Sequence, residues 1–296
     1  MPDAASAQSP PSEDPDGKAE PGPGLVLVST PIGNLGDVSA RAATALRDAD
    51  LILCEDTRHA APLLARVGAR APTQALHEHN EDARIEPILA RLRSDQRVAL
   101  ISDAGTPLVS DPGFRLVRAA VAAGLAVTAI PGPNAAVTAL VLSGLPPQPF
   151  LFLGFPPPRS AARRSAFGTL RAAERAGLAA TLIWHEAPHR LAEALADMRD
   201  AFGDRAAAVA RELTKRFEEV RRGGLADLAA WYAEHEARGE ITVLVGPPET
   251  DDPEDLDARL RDALATHSVK DAAALVATAT GLPRKLVYAR ALDLSK

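Results

Sequence analysis

The sequence predicts an α/β protein: two successive α/β domains followed by a small, wholly helical one. Three observations carry that reading. Short β-type runs alternate with stretches of helical length and period. In the first half, loops rich in glycine and proline follow the strands, the pattern of a largely parallel sheet. Residues 256–294 show helical patterning only. Domain limits fall where composition changes. Residues 1–24 are rich in Pro, Ser, Gly and acids and read as a disordered extension. The first α/β domain covers 25–146, ending in the Pro-rich Leu145-Pro146-Pro147-Gln148-Pro149. The second covers 147–248. An acidic link, Asp251 to Asp255, leads into a helix-turn-helix-like tail at 252–296.

Order begins at Leu25. Leu25–Val28 is a strand, closed by Ser29-Thr30-Pro31-Ile32-Gly33-Asn34. Residues 37–48 form a helix capped by Asp37 or Ser39. Leu51–Cys54 is a strand, and Pro62–Val67 and Arg84–Arg93 are helices, with Asn80 and Glu81 readable as a cap. Val98–Ser102 is a strand before Asp103-Ala104-Gly105-Thr106-Pro107. Gly113–Ala123 is a helix, Ala126–Ile130 a strand, Pro131-Gly132-Pro133-Asn134 a loop, and 135–143 a helix of small residues. In the second domain the strands are Phe150–Gly154, Ala179–His185, Ala206–Ala210 and Ile241–Val245, joined by helices near 160–176, 188–202 and 224–238. Lys270–Ala279, a Gly281-Leu282-Pro283 turn and Arg284–Leu292 complete the tail.

Bulk properties narrow the function classes. A chain of 296 residues suits two domains and an appendage. At 46% hydrophobic but only 4% aromatic, its cores must be aliphatic. The single Cys54 excludes a disulfide framework and a Cys-rich zinc site. Beside Asp56 and His59 its thiol is a conceivable nucleophile, but a small buried residue is the plainer reading. No apolar run approaches the roughly 20 residues of a membrane span. The first residues lack the basic start and apolar stretch of a signal peptide, so a cytoplasmic location is expected. Net charge is −6, of which residues 1–24 contribute −4 through five acids and Lys18. The rest of the chain clusters its arginines, and phosphate affinity follows local patches rather than the total.

Three loops invite a ligand: Thr30–Asn34, Asp103–Pro107 and Pro131–Asn134. In α/β sheets, ligands bind outside the carboxyl ends of strands. Glycine lets the backbone approach a ligand closely. A single loop of this kind is a turn; three together, with Asp103 and small hydroxyls among them, point to a small-molecule pocket. None has dinucleotide or P-loop spacing.

The same loops belong to a longer series of blocks: Ser29-Thr30-Pro31-Ile32-Gly33-Asn34-Leu35, Cys54-Glu55-Asp56-Thr57-Arg58-His59, His77-Glu78-His79-Asn80-Glu81, Ser102-Asp103-Ala104-Gly105-Thr106-Pro107, Ser110-Asp111-Pro112-Gly113, Pro131-Gly132-Pro133 and Ala210-Arg211-Glu212-Leu213-Thr214-Lys215. In these blocks the chain resembles the small-subunit ribosomal RNA 2′-O-ribose methyltransferases of the tetrapyrrole-methylase superfamily, across residues 25–294. The resemblance implies a two-domain tetrapyrrole-methylase-like fold with a cofactor cleft between the domains. It implies S-adenosyl-L-methionine as cofactor, a homodimer, and methylation of a cytidine ribose in the decoding region of 16S rRNA within the 30S subunit. It assigns the cofactor to Pro31, Asp103, Gly105, Thr106, Val109, Ser110, Asn134 and Ala135, with His185, Glu186, Leu213 and Thr242 from the second domain. Two departures stand out. Related methylases carry Gly-Asp-Pro where this chain has Gly105-Thr106-Pro107, so Asp103 is aligned as the stand-in carboxylate. Relatives often carry Tyr-Glu-Ser where this chain has His185-Glu186-Ala187, so only the glutamate is kept.

Methyl transfer from a sulfonium needs an in-line acceptor oxygen and no metal. A ribose hydroxyl is a weak nucleophile, so a base is expected. Candidates are Glu212, Glu186, Asp103 and the His77/His79 pair, with Lys215 as an orienting cation. For Glu212, beside Arg211, a structural ion pair is the alternative. The cluster His77-Glu78-His79 is also a candidate metal site, with substrate binding or a hydrogen-bonded loop as the alternative. Glu55, Asp56, Arg58 and His59 could shape the RNA site or a dimer contact. RNA contacts are expected from Arg159, Arg163 and Arg164, from Arg211, Lys215, Arg216, Arg221 and Arg222, and from Arg284, Lys285 and Arg290. Two other functions fit the same chain. One is a small-molecule methyltransferase of the precorrin type; the other is a non-catalytic RNA-binding assembly factor.

Overall fold

In the computed structural model, residues 22–248, 253–280 and 282–295 are described. The extension before residue 22, the start of the acidic link and Gly281 of the expected turn lie outside them. The chain forms two compact units, one ending at Asn134 and the other beginning at Ala135.

The first unit holds five strands: β1 (Gly24–Val28), β2 (Leu51–Cys54), β3 (Thr73–Ala75), β4 (Arg97–Leu100) and β5 (Val127–Ile130). They form one sheet in the order β3-β2-β4-β1-β5, every pair parallel. Parallel order buries both faces, which is why Leu51–Cys54 is an unbroken apolar run. Helices α1 (Ala40–Arg47) and α2 (Thr57–Val67) belong to one core, with Leu46, Ile52, Leu63 and Leu64. Helices α3 (Glu81–Arg93) and α4 (Phe114–Ala122) belong to the other, with Leu53, Ile88, Leu100 and Leu116. Ser39, not Asp37, caps α1, accepting the Ala42 N–H. The α2 helix starts five residues before Pro62, because Asp56 caps it and the burial of Ala60, Leu63 and Leu64 outweighs the hydrogen bond that the proline forgoes. Likewise α3 begins at Glu81. The Asn80 side chain makes no helix cap; its amide binds the preceding loop instead.

The second unit opens with α5 (Ala135–Ser143), which packs on the second sheet. Its strands are β6 (Phe150–Phe152), β7 (Thr181–Glu186), β8 (Ala206–Arg211), β9 (Glu219–Gly224) and β10 (Ile241–Val245). Their order is β6-β7-β10-β8-β9. Only β6 and β7 pair in parallel; the other pairs are antiparallel. Helices α6 (Ser160–Arg175), α7 (Leu191–Phe202) and α8 (Leu225–Glu234) cover it around Phe167, Trp184, Leu195 and Phe202. Three further helices, α9 (Pro253–Leu264), α10 (Val269–Thr280) and α11 (Arg284–Leu294), bury Leu260, Ala272, Val276 and Val287 among themselves.

Candidate functional site

Parallel strands point their carboxyl ends the same way, so the segments after β1, β2, β4 and β5 emerge along one edge of the first sheet. Gly105 is where three of them meet. Its N–H donates to the Thr30 carbonyl at 3.1 Å, and the Thr30 N–H donates to the Gly105 carbonyl at 2.8 Å. With φ of +80°, a Cβ on Gly105 would sit 3.3 Å from Ile32 Cγ2 and 3.7 Å from the Pro133 carbonyl oxygen. Thr106 Oγ1 donates to the Pro133 carbonyl and accepts from Asn134 Nδ2, both at 3.3 Å. Gly132 lies on Ser29, where a Cβ would be 2.8 Å from the Ser29 Cβ. Beyond Pro107 the chain stays tight: Leu108 and Ser110 hold positive φ of 72° and 71°. Strained backbone of this kind persists where surrounding structure enforces it and is common at ligand sites. Pro31 is buried behind this edge, while Val109 and Ser110 are exposed on it.

Charge gathers at the same edge. Asp103 Oδ1 accepts the Asp56 N–H at 3.3 Å, and Oδ2 lies 2.9 Å from His59 Nδ1. That bond, with the charges of Asp103 and Asp56, raises the His59 pKa. Burial and then Asp103 raise the Glu55 carboxyl. Asp56 is held well below the usual carboxylate range by Arg58. The Cys54 thiol is pushed up to about 11 by burial, with Asp103 and Asp56 adding to it, which leaves it a poor nucleophile. His77 and His79 sit after β3. Asn80 ties the loop together, accepting the His77 N–H and placing its amide 3.1 Å from His77 Nε2. Buried Glu81 accepts the Leu116 N–H and pairs with Arg115, fixing α3 to α4.

The second unit assembles its own set. In the antiparallel register His185 faces Thr242, and Glu186 and Arg211 both face Ile241. The ends of β7 and β8 therefore flank the start of β10. His185 Nδ1 lies 3.1 Å from Thr242 Oγ1, with Phe152 and Phe155 packed on the ring. Burial lowers its pKa, which favours the neutral form. Glu186 is almost fully buried; it accepts the Ala187 N–H and pairs with Arg190. Glu212, at a positive φ of 50°, accepts from Lys215 Nζ at 2.9 Å and from the Glu240 N–H at 3.0 Å. Lys215 lowers its pKa, so Glu212 is a weakly basic carboxylate in a structural ion pair. Lys215 also reaches Glu240, and Leu213 is buried beside them.

The expected RNA contacts divide. Arg163 is a correction: its side chain is fully buried, 2.6 Å from Asp197 and 3.2 Å from Glu193, and cannot meet a phosphate. Arg211 is turned to Glu219, Arg290 to Asp257, and Arg221 to Glu219 and the Trp231 ring. Arg222 donates to the Leu142 carbonyl. Arg159, Arg164 and Arg216 are exposed. Arg284 and Lys285, with Lys270 and Tyr288, line a hollow of about 460 Å³. Sequence reasoning alone misses the His59–Asp103 pair. Forty-four residues separate the two, and the available signal is that each follows one of two strands destined to be neighbours.

Comparisons with known proteins identify the family and the fold. The profile of the Tetrapyrrole (Corrin/Porphyrin) Methylases matches residues 24–229, and that of the RsmI C-terminal HTH domain matches residues 250–295. "Ribosomal RNA small subunit methyltransferase I" of Mesorhizobium japonicum is 48% identical over 276 residues, 92% of each chain. The Pseudomonas aeruginosa protein of the same name is 47% identical over 91% of this chain and 96% of its own. Among solved structures, diphthine synthase superposes with a TM-score of 0.58 at 17% identity, covering 75% of this chain and 90% of that one. The methyltransferase CobJ superposes at 0.55 and 18% identity, covering 75% and 93%. These two likenesses concern the fold.

Proposed function

The chain belongs to the tetrapyrrole methylase family and, within it, to the small-subunit ribosomal RNA methyltransferase I group, and from that premise we propose that it moves the methyl group of S-adenosylmethionine onto the ribose 2′-oxygen of a cytidine in the decoding region of 16S rRNA. The convergence of three loops on Gly105 carries the reading. The missing side chain there lets the three loops close on one another, since a Cβ would meet Ile32 and the Pro133 carbonyl, and the carbonyls and hydroxyls at their rim are fixed in advance. Pro31, Asp103, Gly105, Thr106, Val109, Ser110, Asn134 and Ala135 are the donor's contacts in this reading. His185, Glu186, Leu213 and Thr242 are assigned to the same donor by the resemblance alone. The donor supplies an electrophilic methyl carbon, and the protein holds the acceptor oxygen in line with it.

The RNA is gripped through phosphates by exposed Arg159, Arg164, Arg216, Arg284 and Lys285. The target ribose must be accessible, so an opened segment within the 30S particle is the substrate. The reaction takes place in the cytoplasm, and the working form is a homodimer; sedimentation of the purified protein tests the latter. The helical tail favours RNA over a tetrapyrrole acceptor.

The test is genetic and chemical. Deleting the gene removes one 2′-O-methylcytidine from 16S rRNA; the wild-type gene restores it and Gly105→Trp does not. Purified protein transfers labelled methyl to 30S particles and not to tetrapyrroles. An unchanged methylation map after deletion would overturn the reading. Absence of donor binding by calorimetry would favour the assembly factor instead.

A further inference from the structure

We propose that His59, oriented by Asp103, accepts the proton of the ribose 2′-hydroxyl as the methyl group arrives. This rests on the ribose-methyltransferase reading above and adds the proton acceptor that it lacks.

The geometry is that of a base held by a second group. His59 is the third residue of α2, and its Nδ1 faces Asp103 Oδ2 at 2.9 Å. The Asp56 N–H fixes the other Asp103 oxygen. A carboxylate only accepts, so Nδ1 carries the proton and Nε2 keeps its lone pair. The His59 side chain is 71% exposed, leaving Nε2 open to a substrate. Asp103 stands two residues before Gly105, so the pair borders the loops assigned to the donor.

Glu212, Glu186 and His77 are engaged with neighbouring groups. Glu212 is tied to Lys215 and the Glu240 N–H. Glu186 is buried against Arg190. His77 Nε2 faces the Asn80 amide, and the His79 ring lies edge-on to His77.

The step balances. The 2′-oxygen bonds to the methyl carbon as the carbon–sulfur bond breaks, leaving a neutral thioether. The hydroxyl proton passes to His59 Nε2. Positive charge thus moves from sulfur to imidazolium, which Asp103 stabilises. Asp103 and Asp56 face His59 and raise its pKa, while Arg58 opposes them. Only neutral His59 accepts a proton, so the rate falls as pH drops through that raised value.

The measurement is single-turnover methylation of 30S particles at saturating donor, from about pH 6 to 9, with donor binding followed by calorimetry. His59→Ala is expected to lose roughly 10²–10⁴ in rate, keep its donor affinity and regain part of the rate with added imidazole. Asp103→Asn is expected to move the acid limb to lower pH, which a merely structural pair would not do. His59→Gln, which can still bond Asp103, guards against a folding defect and should be equally slow. The proposal is overturned if the folded His59 variants stay within about threefold of wild type with the same acid limb. No transfer by the wild-type protein would overturn the parent reading and this one with it.

Discussion

Asp111 is a carboxyl pushed up to about 6, first by burial and then by the charge of Glu55, with Asp103 adding to it. Its unfolded value lies near 3.8. Between about pH 4 and 6 the folded protein therefore keeps a proton that the unfolded chain sheds, and stability falls as pH rises through that window. Asp111→Asn should raise the melting temperature by a few degrees at pH 7.5 and leave it unchanged near pH 4. Partial exposure discounts the gain to about 1–2 kcal/mol. Thermal melts at both pH values check this. Arg163 tests the opposite situation, a buried charge already matched. Arg163→Met strands Asp197 and should cost about 3–5 kcal/mol in urea unfolding, with RNA affinity of the folded protein unchanged. Composition could not separate Arg163 from exposed Arg164. Helical spacing could have done so, because Arg163 shares a face with Phe167, Leu170 and Glu174, whereas Arg164 does not.

Elements with apolar runs were legible, and those without were not. Leu51–Cys54, Ile241–Val245 and the helix 135–143 fall where their patterns put them. The edge strands β3 and β9 escaped: Thr73–Ala75 is three residues long, and Glu219–Gly224 reads EVRRGG, with charges where a core strand has valines. Its pairing with β8 supplies what its own sequence lacks. At the candidate site the glycine loops were visible, while the pairing of His59 with Asp103 depended on strand order, which no local pattern encodes. Helix α11 places Arg284 and Lys285 in its first turn without a side-chain cap, against the preference of the helix dipole for acids there. Arg284→Glu with Lys285→Glu should therefore separate stability from binding. The tail should gain about 0.3–1 kcal/mol per site. RNA affinity should fall, and the salt dependence should flatten by about one unit for each phosphate no longer gripped. Filter binding across a salt series, beside thermal melts, checks both signs.

For the molecule as a whole, the two sheets differ in kind: the first wholly parallel, the second mostly antiparallel. The sequence foretold the first through its strand–helix alternation. It did not foretell the second, because β10 pairs antiparallel with β7 and β8 across intervening helices and β9 carries no apolar pattern to mark its pairing with β8. Net charge is likewise misleading as a single figure, since four of the six excess negative charges lie in residues 1–24. Removing residues 1–21 deletes all of these and should raise RNA affinity about two- to threefold at low salt, with the gain vanishing at about 0.5 M as charges are screened. Equilibrium binding of the shortened and full chains at both ionic strengths checks this. The reciprocal backbone bonds between Thr30 and Gly105 have an effect on ligand capture. Segments clipped together while the chain folds have little freedom left to surrender when a guest arrives. Association at this edge should then be fast and nearly independent of denaturant well below the unfolding transition, as for a socket moulded beforehand rather than a flap that closes.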